Sequence, residues 1–156
     1  MAEARGPIDE TAHKELAIGL FNRVWSLLDR TDRTVDEDDT MVHAAHASRY
    51  HWGEVGTPLE FERGEWQISR VYSVLKRPQP ALHHARRCLE ICQANGIGDF
   101  DLAFAYEALA RAYAVAGEAT TSQEFVSLAE RAAEAIEDEG NREYTRSELA
   151  SVKDLL

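Results

Sequence analysis

Apolar positions recur three and four residues apart along nearly the whole chain, as in Ile18, Phe21, Val24, Trp25 and Leu28, and no alternation with a period of two competes with them. The spacing predicts seven helices. The first runs from about Asp9 to Asp29. A polar break rich in Thr and Asp, Thr31 to Asp39, separates it from a second helix over roughly Asp36 to Val55 that stops at Gly56. Thr57-Pro58 has the form of a cap followed by proline in a first turn, where the missing N–H costs nothing, and opens a third helix reaching Lys76. Pro78 and Pro80 open a fourth over Ala81 to Ala94, with Gly96 past its end. Asp99 suits the N-cap of a fifth helix, Phe100 to Ala116, stopped at Gly117. A sixth spans about Thr121 to Glu137 and closes at Gly140, and a shorter, more polar seventh covers Arg142 to Leu155.

Two stretches coincide when shifted by 41 residues. Ile68, Ser69, Arg70, Tyr72 and Leu75 fall on Leu109, Ala110, Arg111, Tyr113 and Ala116, and Ala81, Ala85, Cys88 and Cys92 fall on Ser122, Val126, Ala129 and Ala133. A helical hairpin repeated in this way cannot bury its apolar face alone, so its copies must stack. The expected architecture is all-α: an α-solenoid of three antiparallel hairpins and a capping helix, forming one domain over residues 1–156. The matched repeats are 58–97 and 99–138, a degenerate one occupies 9–56, and 141–156 is the cap. In that first unit Thr40, Ala44, Ala47 and His51 take the second-helix positions and Phe21 and Trp25 lie on the partner helix.

The residues of the matched units resemble the tetratricopeptide family. Tyr106, Leu109, Ala110, Tyr113 and Gly117, then Ser122, Val126 and Ala129, fit its pattern of large residue, Leu, small residue and Tyr, a turn Gly, and spaced small residues. The preceding unit has Ile68, Ser69, Tyr72, Ala81, Ala85 and Cys88, with Glu65 in place of the large residue and no Gly at its turn. The resemblance implies a scaffold without catalysis or cofactor that binds a protein or peptide segment in a groove lined by the first helix of each hairpin. Carried over, the groove positions are Arg63, Trp66, Gln67 and Arg70 in one unit and Phe104, Glu107 and Arg111 in the next. Arg70 and Arg111 are equivalent, so two guanidiniums lined up on one wall would suit an acidic peptide. The same two side chains could instead pair with Glu62, Glu65 or Glu107 along their own helices.

Composition narrows the partners. The chain has 156 residues, 44% apolar and 29% charged, enough for a core without staples. Its net charge of −11 argues against nucleic acid and against anionic membranes. No apolar run approaches a membrane span, and Met1 to Glu15 lacks the basic flank and apolar segment of a secretion signal, which points to the cytoplasm. Cys88 and Cys92, the only cysteines, read as reduced small core residues.

Two clusters offer other chemistry. His43, His46, Tyr50 and Glu54 share one broad helix face, and a site of His43, His46 and Glu54, completed by His13 or another helix, would hold zinc or a similar ion in a metal-dependent or small-molecule enzyme or sensor. The spacing matches no standard motif, and imidazoles among aromatic residues usually bridge helices. His84, Cys88 and Cys92 also follow one stripe, but residues eight apart lie about 12 Å apart along a helix, too far to share one ion. No nucleophile elbow or phosphate loop is present, and Asp36 to Asp39 suit a helix start. Self-association through Trp25, Trp52 or the last helix is a further expectation.

Overall fold

The computed structural model of the chain describes residues 8–156, so the part of the Met1 to Glu15 reading that concerns residues 1–7 lies outside it. Among the described residues there are seven helices and no strand. They are α1 (Glu10–Leu28), α2 (Val35–Val55), α3 (Pro58–Val74), α4 (Pro78–Ala94), α5 (Asp99–Val115), α6 (Ala119–Glu134) and α7 (Glu139–Lys153). Their starts follow from capping chemistry. Asp9 accepts from the Ala12 N–H at 2.7 Å, Thr34 and Glu37 close a reciprocal capping box at α2, and Asp138 accepts from the Asn141 N–H at 2.8 Å.

Several boundaries differ from expectation. Helix α4 begins at Pro78 rather than Ala81, because a first turn needs no N–H donors and tolerates both prolines. Helix α6 starts at Ala119 and ends at Glu134, and the Asp138 cap pulls Gly140 into the first turn of α7 instead of leaving it as the stop of α6. Asp99 is not the cap of α5 but its first residue, with φ 53°.

The 41-residue period is geometric as well as compositional. Helices α3 and α5 each have 17 residues and begin and end 41 positions apart. Ser69 Oγ on α3 donates to Ala81 O on α4 at 2.8 Å. Across the equivalent pair, Ser122 Oγ on α6 donates to Ala110 O on α5 at 2.7 Å. The hydroxyl has changed sides while the bond has kept its place. The hairpin turns match too. Gly117 leaves α5 with φ 79°, and the Glu118 N–H bonds back to Tyr113 O at 3.0 Å. Lys76, its counterpart after α3, takes φ 60° with the Arg77 N–H on Tyr72 O at 2.9 Å. The unit expected to lack its turn glycine makes the same helix stop with a lysine forced into the left-handed region. The first hairpin is off this register: its buried hydroxyl bridge runs from Ser48 Oγ to Ala17 O, 2.7 Å.

Each helix packs on the next, and the backbones of α1, α3, α5 and α7 also approach one another in sequence, whereas those of α2, α4 and α6 stay apart and α2 meets α4 through the rings of His46 and His84, 5.3 Å between centres. The odd helices therefore form an inner layer and the even ones spread along the outer side. Small residues permit the close approach: Ala103, Ala105, Ala108, Ala110, Ala112 and Ala114 of α5 are all buried. Between the outer helices and this layer lie Val24, Leu27, Met41, Ile68 and Val71 at one end, Ala85, Cys88, Cys92 and Leu109 in the middle, and Val126 with Val152 at the other.

Candidate binding site

The inner layer carries two parallel features. One is a ribbon of aromatic rings crossing all four odd helices. Phe21 and Trp25 of α1 are 6.3 Å apart by ring centre, Trp25 and Trp66 of α3 5.5 Å, Trp66 and Phe104 of α5 5.7 Å, and Phe104 and Tyr144 of α7 5.7 Å. Phe100 joins at 4.5 Å from Phe104. The ribbon lines a cavity of about 210 Å³ whose polar edge consists of Glu62, Arg63 and Asp101.

The second feature is an ion network one helical turn away. Glu107, with no solvent exposure, receives Arg111 Nε at 2.7 Å and Arg70 Nη2 at 3.3 Å. Glu148 of α7 receives Arg70 Nη2 at 2.7 Å and Arg111 Nη2 at 3.4 Å. Ser151 Oγ accepts a further Arg111 N–H at 2.7 Å. Burial works against the Arg70 charge, and Glu107 and Glu148 outweigh it.

These contacts revise the expected groove. Arg70 and Arg111 do lie side by side, but each is engaged by the chain's own Glu107 and Glu148, so neither guanidinium is open to a carboxylate ligand. Gln67 is buried and donates to Phe21 O at 3.0 Å, tying α3 to α1. Glu107 is likewise interior. Arg63, Trp66 and Phe104 border the cavity, with Trp66 and Phe104 mostly covered by neighbouring rings. Trp25, expected at an end surface for self-association, sits inside the ribbon. Phe21, Phe100, Tyr144 and Asp101 had no place in the sequence-based groove, because nothing local to them marks a wall built by four separate helices.

At the cavity edge, Arg63 grips Asp101 with two bonds, 2.8 and 3.1 Å. Glu62, 1% exposed, takes the Cys88 thiol on Oε2 at 3.4 Å. Its Oε1 has no hydrogen-bond partner, and the Trp66 indole nitrogen is also without one. Burial first, and the carboxylate of Asp101 second, push the Glu62 carboxyl up to about 10, so it carries its proton at neutral pH. Cys88 is held well above the usual thiol range by Cys92 and by burial. Both cysteines are free and buried. Glu62, Cys88 and Cys92 place donor atoms within 4.8 Å of one another, the only such group among the described residues. A protonated carboxyl and two thiols hydrogen-bonded together account for that proximity without an ion.

The histidine face does not assemble. His43 and Glu54 point to solvent, Tyr50 is 62% exposed, and His46 Nε2 hydrogen-bonds Tyr72 OH at 2.8 Å. His13 meets His51 instead, Nδ1 to Nδ1 at 2.8 Å. Burial, then His84, lowers the His46 pKa. His84 turns away from the cysteines to Glu65, 2.6 Å away. Burial alone would raise the Glu65 carboxyl, yet this bond and the nearby charges of His84 and Arg49 hold it below its usual range.

The fold and site together define an all-α stack of helical hairpins with an aromatic, acid-edged cavity on its inner face. Comparison of the chain with protein-family models, with curated proteins and with solved structures returned no match to any of them. No helix among the described residues is long and apolar enough to cross a membrane.

Proposed function

We propose that this chain is a tetratricopeptide-like interaction module, acting in the cytoplasm, whose inner face holds a segment of a protein partner without catalysis. The observation that carries the reading is the ribbon from Phe21 to Tyr144: four helices contribute rings to one concave surface that the hairpin stacking itself keeps open. A segment laid across the odd helices would bury its own apolar side chains against these rings. Little rearrangement is required, which keeps the ordering cost of binding low. The internal pairing of Arg70 and Arg111 supports their role as a rigid clamp among α3, α5 and α7, and takes support from an acidic partner. A metal or small-molecule site at His43, His46 and Tyr50 loses support from the solvent-facing His43 and Glu54.

A display library of random peptides, panned on the protein and then against Tyr144→Arg, tests this. Tyr144 is 46% exposed, so the substitution adds charge to the groove without entering the core. The expected result is an enriched sequence class that binds the wild type and loses affinity for Tyr144→Arg at least tenfold. Absence of any enriched class, or equal binding to both proteins, would overturn the reading.

A further inference from the structure

We propose that the inner-face cavity receives a lysine side chain of the partner segment, its stem along Trp66 and Phe104 and its ammonium on the free oxygen of Glu62. This rests on the interaction-module reading above. The pairing of the buried acids around the cavity leads to it: Asp101, Glu107 and Glu148 each hold a guanidinium, and Glu62 holds none. Asp101 takes Arg63 in two bonds, and Glu107 with Glu148 takes Arg70 and Arg111. Glu62 is the odd group. The nearest cation to its Oε1 is Arg63 Nε at 3.8 Å, beyond hydrogen-bond reach and already committed to Asp101.

Oε1 meets no donor from the chain, and the carboxyl keeps its own proton against the Asp101 carboxylate instead; a ligand ammonium ending there would take the place of that proton. A cation also meets rings that favour it. Arg70 already rests 5.1 Å from the centre of the Trp66 ring. The type of cation follows from the acceptor. Glu62 has one free oxygen, its other being taken by Cys88, so the planar fork of an arginine would leave donors unmatched, while a quaternary ammonium has no N–H to give. A primary ammonium is a point charge with donors, and its four-carbon stem suits aromatic walls. In the free protein Glu62 holds its proton among Asp101 and Arg63 beside it and Cys88 and Cys92 from α4. An arriving ammonium makes the carboxylate the favoured form, so the carboxyl proton leaves to solvent as the ion pair forms.

The test titrates the protein with N-acetyl-Gly-Lys-Gly-amide and with the same peptide carrying norleucine or N6-acetyllysine. Binding is followed through the indole N–H signals of Trp25, Trp66 and Trp52. The lysine peptide is expected to shift Trp25 and Trp66, and to bind at least tenfold more tightly than either analogue. Glu62→Gln, which keeps shape and loses the charge, should reduce that preference below twofold. Calorimetry of the wild type at pH 7 in buffers of different ionisation enthalpy should show release of a proton on binding, an arm that needs no variant. Equal binding of the norleucine peptide, an unchanged preference in Glu62→Gln, or no proton release would overturn the inference. Selected peptides that occupy the cavity without lysine would overturn it while leaving the module reading in place, and no binding by any peptide would remove both.

Discussion

Glu107 is the point on which the inner layer is electrostatically pinned, and Glu107→Gln measures it. The substitution keeps the volume and an oxygen for Arg111, but removes the charge that faces two guanidiniums only 13% and 11% exposed. Breaking a buried ion pair from one side costs about 3–5 kcal/mol. Here Glu148 remains as a partner for both arginines, at 2.7 and 3.4 Å, and the guanidiniums keep some contact with water, so the expected loss is about 2 to 3 kcal/mol. For a chain of this length that lowers Tm by roughly 4 to 12 °C. Thermal and urea unfolding followed by helical circular dichroism at neutral pH provide the assay. Glu143→Gln, which breaks the exposed pair with Arg146, is the control and should cost less than about 0.5 kcal/mol. Adding Arg111→Met to Glu107→Gln should cost less than the two single changes together, by at least about 1 kcal/mol. A Glu107→Gln protein as stable as the control would mean that the Glu107 charge does not hold the inner layer together.

Three further outcomes follow from particular contacts. Lys76→Gly should stabilise the protein by about 0.5 to 1 kcal/mol in urea unfolding, since φ 60° is unfavourable for lysine and free for glycine, while Gly117→Ala at the equivalent turn should destabilise by a similar amount. Ser69→Ala and Ser122→Ala should each cost about 1 kcal/mol, and by the same margin, because the two hydroxyls make one repeated bridge. Glu62 should impose a pH slope on stability. Its folded carboxyl keeps a proton from its ordinary value of 4.5 up to about 10 that the unfolded chain has released, so its contribution is full at low pH and fades as pH rises. The slope is at most about 1.4 kcal/mol per pH unit. Glu62→Gln should therefore gain stability over the wild type progressively between pH 5.5 and 8.5, and a constant difference across that range would contradict the assignment.

Features that depend on neighbours along one helix were legible in the sequence. The seven helices, the 41-residue period, the proline starts and the packing role of Cys88 and Cys92 all express periodicity or capping, and the structure moves the boundaries by only a few residues. The lysine turn was not legible, because its sequence has no glycine to mark the left-handed residue that closes α3. Arg70 and Arg111 are legible as equivalent positions of two repeats, yet their shared partner Glu148 stands on α7, where no local signal ties it to them. The cavity was hidden for the same reason. Trp66 and Phe104 are visible as equivalent-face residues of two repeats, but Phe21, Trp25 and Tyr144 come from a degenerate first unit and the terminal helix, where the repeat pattern fades. Glu62 looks like an ordinary helix-surface acid until α4 covers it. His43, His46 and Glu54 show the converse: a shared face on one helix does not gather ligands unless a second helix closes over it.

The proposed partner segment lies on the inner layer and not on the outer one. Backbone amide shifts of the labelled protein on addition of a display-selected peptide locate it. Changes are expected to concentrate on α1, α3, α5 and α7 around Trp25, Trp66, Phe104 and Tyr144. Changes confined to α2, α4 and α6, with Tyr144 and its neighbours unmoved, would contradict that placement.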